Sequence, residues 1–169
     1  MPLRLTFAAI ALCFSLASCA HYHLGAVTAP AFQRLYIEPV ENKALLPQSV
    51  ALISTQIREA FLNDGRVELV NSPEQADATL HVTLVSYSRA IAALRSDDTG
   101  LARKLQLVLH AECTLHDNRT GRNFFEKRPI TAAREAYTDN GQLQSEYNTL
   151  PLLAEVLSHN ITHATLDVW

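Results

Sequence analysis

ARKLQLVLHAECTLHD, residues 102–117, is the stretch that decides the fold. Leu105, Leu107, Leu109, Ala111, Cys113 and Leu115 alternate with Lys104, Gln106, Val108, His110, Glu112 and Thr114. A period of two is that of a β-strand, and here it gives one apolar face and one mostly polar face. Strands of that kind belong to antiparallel sheets with one side on a core and the other toward water. On its N-terminal side LRSDDTG (94–100) reads as a hairpin connection to ATLHVTLVSYSRAIA (78–92), in which Leu80, Val82 and Leu84 share a face opposite His81 and Thr83. On its C-terminal side NRTG (118–121) is a turn, and RNFFEKRPITAAR (122–134) returns as a strand. Pro129 has no N–H to give to a ladder, so that strand is an edge or carries a bulge.

Farther out the period changes. RLYIEPV (34–40) alternates as a strand, and ENKALLP (41–47) is a loop. From Gln48 to Asn63, Val50, Ile53, Ile57 and Phe61 recur at steps of three and four, flanked by Leu52 and Ala60, which predicts an amphipathic helix. Asp64-Gly65 supplies its stop, because Gly accepts the left-handed conformation that follows a helix. RVELV (66–70) is a brief strand closed by NSPEQAD (71–77). A polar loop is expected over 135–148, then a second helix from about Thr149 to Asp167 with Leu153, Val156, Leu157, Ile161 and Ala164 on one face. Pro151 is tolerated there in the first turn. The expected architecture is α+β: one domain, a mostly antiparallel four- or five-stranded sheet, and two amphipathic helices packed on one face.

The N-terminus carries a different message. Leu5 to Ala17 is an almost wholly apolar run of 13 residues behind a single charge, Arg4. That is short for a bilayer span and has the size of the apolar region of a signal peptide. Leu16-Ala17-Ser18-Cys19 looks like a bacterial lipobox, at which the signal is cut and the new N-terminal cysteine acylated. A buried apolar helix, or a secretory signal with an incidental cysteine, are the other readings of the run. The lipobox divides the chain into a signal peptide (1–18), a lipidated N-terminus and short tether (19–33) and a folded domain (34–169). Two or more acyl chains hold a protein on a membrane durably. Residue 20 is Ala rather than Asp, which favours the periplasmic face of the outer membrane. Cys113 is then the one cysteine left unmodified, without a partner for an intramolecular disulfide, and its place in the alternation is that of a small core residue.

Little in the sequence points to catalysis. The chain is mildly acidic, with a formal charge of −3, and offers no footprint for nucleic acid. With 5 glycines there is no phosphate-cradling loop, and there is no GxSxG elbow. His159 and His163 are four apart but lack the Glu of a zinc-protease motif. His81, His110 and His116 read as solvated strand positions. No catalytic residue, metal or cofactor is expected. The charges that invite a function are basic: Arg89, Arg95, Arg103 and Lys104 on the arms of the central hairpin, with Arg119 and Arg122 at the next turn. Guanidinium forks match phosphate oxygens.

In order and spacing, the chain resembles the LptE family of lipopolysaccharide-assembly lipoproteins. The resemblance is carried by the lipobox with a nearby YHLG, then LYIEPVEN, LISTQIREAFLNDGRVELV, ADATLHVTLVSY, LQLVLHAECTLHDNRTG and the C-terminal amphipathic helix. It implies a small sheet with two helices on one side, seated as a plug in a large LptD-type β-barrel whose assembly it supports, in contact with lipopolysaccharide. It also implies Arg95 as a contact for lipopolysaccharide phosphate, with Arg103 and Lys104 behind it. A rival reading is an outer-membrane lipoprotein that regulates a peptidoglycan synthase. That role calls for a long tether, whereas about a dozen residues separate Cys19 from the first strand.

Overall fold

The computed structural model describes residues 30–44, 46, 49–94, 102–138 and 141–167. The strands are β1 (Arg34–Ile37), β2 (Glu41–Asn42), β3 (Glu68–Val70), β4 (Ala78–Leu94), β5 (Ala102–Asp117) and β6 (Arg122–Tyr137); the helices are α1 (Ser49–Asp64) and α2 (Gln142–Leu166), with a short 3-10 turn at Pro73–Gln75. Among the described residues the strands form one sheet in the order β3-β1-β4-β5-β6, and β2 pairs with β4 beyond the end of β1. β1 and β2 follow one line along β4, broken where Pro39 interrupts the ladder. Glu38 N donates to Leu80 O and Lys43 N to Leu84 O on either side of the break.

The long meander β4-β5-β6 is antiparallel, as the alternation predicts. The sheet as a whole is mixed. β1 runs parallel to both β3 and β4, and β2 runs parallel to β4. The reason is α1: a helix between β1 and β3 carries the chain back, so the next strand must run the same way as the last.

The core lies between the sheet and the two helices. Leu105, Leu107, Leu109, Ala111, Cys113 and Leu115 from β5 are at most 3 % exposed. They meet Ile53, Ile57 and Phe61 from α1 and Leu153, Leu157 and Ile161 from α2. Gly65, at φ +71, ends α1 in the expected left-handed conformation, with its N–H on Phe61 O. Arg66 then bridges the C-terminal ends of both helices, through Asp64 at 2.7 Å and Asp167 at 2.7 Å.

Two local features escape the alternation. A bulge in β4 between Leu84 and Ser86 shifts the pattern by one residue. Before it Leu80, Val82 and Leu84 face the helices; after it Tyr87, Arg89 and Ile91 do, opposite Leu109, Leu107 and Leu105. The second feature is α2, which starts at Gln142 rather than near Thr149, so that Pro151 sits inside the helix and not in its first turn. Of the residues expected as a loop, those up to Tyr137 belong to β6 and those from Gln142 to the first turns of α2. Here the buried side chains are Ser145 and Thr149, and their hydroxyls donate back to the carbonyls of Gly141 and Ser145. A polar residue whose hydroxyl is satisfied inside its own helix can be buried like an alanine. An apolar period therefore cannot reveal it.

Candidate functional site

The basic residues fall into two groups at opposite ends of the meander. β5 alone is 16 residues long, roughly 50 Å at strand rise. At one end Arg119 donates to Asp117 at 3.4 Å and to the carbonyl of Ala31 at 2.9 Å, which ties the incoming N-terminal segment to the β5–β6 turn. Asp77, just before β4, does the same. It accepts from the Arg34 guanidinium at 3.0 Å and from the backbone N–H groups of Arg34 and Gln33. The guanidinium, with those N–H groups, holds the Asp77 carboxyl down to about 2. Phe32 is buried next to Phe124, ring centroids 5.8 Å apart.

The other end of the meander holds the residues singled out for an anionic ligand. Arg95 lies outside the described residues, as does Cys19. Arg103 and Lys104 are neighbours on β5, so their side chains leave opposite faces of the sheet. Arg103 shares the face of Leu105, toward the helix side, and is exposed. Lys104 shares the open face, where its ammonium lies 3.0 Å from Glu135 and 5.6 Å from the centroid of the Tyr137 ring. Hydrogen bonding to Glu135 raises the Lys104 pKa, so the group is held as a cation that already has a counter-ion. Arg89 is likewise engaged, with Glu146 of α2 at 3.3 Å. Tyr87 donates to the same carboxylate, and burial first, then that negative charge, pushes its phenol up to about 12. Glu135 and Glu146 lie 31 and 57 residues from their partners, so no sequence motif could have marked them.

The histidines are dispersed. His110 pairs with Thr131, His116 with Asn123, and His81 with Glu38 at 2.8 Å; His159 and His163 stack edge to face on the exposed side of α2. Among the described residues no group of three or more metal-ligating side chains converges. Cys113 is wholly buried, and burial pushes its thiol up to about 12, so it behaves as a core residue and not as a nucleophile.

Apolar surface collects at the same end as Arg103. Ile91, Leu94 and Tyr137 on the meander and Leu143, Tyr147 and Leu152 on α2 are each at least half exposed. No helix among the described residues is long and apolar enough to cross a membrane.

With this geometry in view, the comparisons are decisive about kinship. A family model described as LptE, lipopolysaccharide-assembly, matches residues 32–163, from the buried Phe32 nearly to the end of α2. The chain belongs to the LptE family. Among solved structures, a minor lipoprotein from Acinetobacter baumannii is 21 % identical, with a TM-score of 0.52 over 80 % of this chain and 94 % of that one. A lipoprotein B from Nitrosomonas europaea is 17 % identical, with a TM-score of 0.53 over 87 % and 88 %. A Xanthomonas campestris protein is 11 % identical, with a TM-score of 0.60 over 83 % and 86 %. At such identities the likeness is one of fold: an α+β domain with two helices on an open mixed sheet. Among curated proteins, none matches the chain in sequence. The matched span begins at residue 32, after the signal-and-cysteine N-terminus.

Proposed function

We propose that this LptE-family protein is anchored to the periplasmic face of the outer membrane through acylated Cys19. There it plugs an LptD-type β-barrel, supports the barrel's assembly, and assists the insertion of lipopolysaccharide. It acts by binding, not by catalysis. The observation that carries this reading is the family match over 32–163, which takes in every strand, α1 and all but the last turn of α2. The exposed apolar residues at that end of the domain, Ile91 and Tyr147 on the helix side and Tyr137 on the open face, support it, since apolar surface of that extent on a small domain suits a partner better than water. For phosphate, Arg95 and the exposed Arg103 are the proposed contacts. Lys104 lies on the other face with Glu135 and is the weaker of the three.

The test is an affinity purification of the full-length chain from detergent-solubilised outer membranes, with its companions identified by mass. A large LptD-type barrel in near-equal amount is expected, and in that complex Arg95→Ala and Arg103→Ala should each weaken lipopolysaccharide binding more than Lys104→Ala. A peptidoglycan synthase in place of the barrel would transfer the protein to the rival role.

A further inference from the structure

β6 is an edge strand of 16 residues, and such an edge is an open template unless it is blocked. Its first half is blocked. Lys127 has φ +46, and the register against β5 breaks between Cys113 and Leu115 and again before His116. The phase of the ladder then shows which backbone groups point outward. Thr138 N donates to Arg103 O, so Ala136, Arg134, Ala132 and Ile130 turn their backbone groups toward β5. Tyr137, Glu135, Ala133, Thr131 and Pro129 turn theirs away. Pro129 lacks the outward N–H, and the outward carbonyl of Thr131 accepts from the Asn160 side chain of α2 at 3.0 Å. Beyond Thr131 the blocking stops. The outward N–H and C=O groups of Ala133, Glu135 and Tyr137 take no hydrogen bond from the described residues. A shallow recess of about 390 Å³ lies along that same stretch. Its walls are Gln106, Ala133, Glu135 and Tyr137 from the open face with Arg134 and Leu152 from the helix side, so it straddles the edge.

We propose that the β6 edge at Ala133–Tyr137 accepts an extended strand of the partner barrel by β-augmentation, an inference that rests on the barrel-plug reading above. Two other occupants are disfavoured. A two-fold pairing of β6 with β6 confined to the open stretch would set Glu135 against Glu135, and pairing β6 with the β3 edge of another copy would not close. The N-terminal segment joins the domain at the far end of β6, beside Phe124 and Arg119. From there to Ala133 is about 30 Å, most of the reach of the residues between Cys19 and Pro30. A barrel strand before closure has what the site needs to pair with: a free row of N–H and C=O groups, with alternating apolar and polar side chains. Its apolar residues would lie on the helix side, against Leu152, and its polar ones on the open face, against Lys104 and Glu135.

The test is amide hydrogen exchange on the full-length chain, free and in the purified complex with a co-expressed LptD-type barrel, together with Ala133→Pro. That substitution removes an outward N–H without removing a ladder bond to β5. Slowing of the Ala133, Glu135 and Tyr137 amides by at least about tenfold in the complex, with a several-fold loss of complex for Ala133→Pro, is the expected result. A complex in which these amides exchange as in the free chain overturns the inference and leaves the barrel-plug reading standing. Slowed amides with an undiminished Ala133→Pro complex also overturn it, because the site is then covered without strand pairing. Slowing in the free chain at high concentration would assign the edge to a second copy. No complex at all overturns both readings. Should Ala133→Pro fail to fold, the exchange measurement on the unsubstituted chain decides alone.

Discussion

Asp77 is a single carboxylate that fixes where the N-terminal segment meets the sheet. It accepts two backbone N–H groups and a guanidinium from Gln33 and Arg34. Its folded pKa, about 2, lies below the ordinary 3.8, so the native state favours the charged form. The stability this confers is complete above the ordinary value and is lost as pH falls through the interval down to about 2. Urea unfolding from neutral to strongly acid pH should therefore show wild type more stable than Asp77→Asn near neutrality, with the gap closing in that interval. A gap that stays constant with pH would remove the charge from the account. Asp64 and Asp167, lowered by hydrogen bonding to Arg66, add to the same acid sensitivity at the other corner of the domain. At this scale the sequence marked Cys113 as a core position by its parity alone. It could not mark Asp77, whose partners are 43 and 44 residues away.

At the scale of elements, α2 carries the most weight. It covers β5 and β6 and meets α1, and Leu157 is wholly buried in the core they share. Leu157→Ala leaves a cavity there and should cost about 2–5 kcal/mol, read as a lower denaturation midpoint with an unchanged slope. A cost under about 1 kcal/mol would mean that the helix is not packed as described. The C-terminal half of α2 was legible because Leu153, Leu157 and Ile161 recur at helical steps. Its first turns were not, because Ser145 and Thr149 are buried as polar residues and Glu146 faces Tyr87 and Arg89. β5 was legible throughout. β4 was legible as far as Leu84, after which the bulge reverses the faces in a way that local composition does not encode.

For the whole molecule, the proposed lipidation of Cys19 would set where the domain sits. Cys19→Ala is expected to accumulate with its signal uncut or away from the outer membrane, as read by its gel mobility and by fractionation of membranes. Normal lipid labelling of that variant would discard the anchor. By itself the sequence determined the two helices, the antiparallel meander and the buried face of β5. Each of these follows from a period of side chains within one segment, and burying one face of a segment is a local choice. The parallel pairing of β1, the mixed sheet, the pairing of Lys104 with Glu135 and the half-blocked edge of β6 were decided only in the tertiary structure. Those features depend on which segment lies beside which, through hydrogen bonds and ion pairs between residues tens of positions apart.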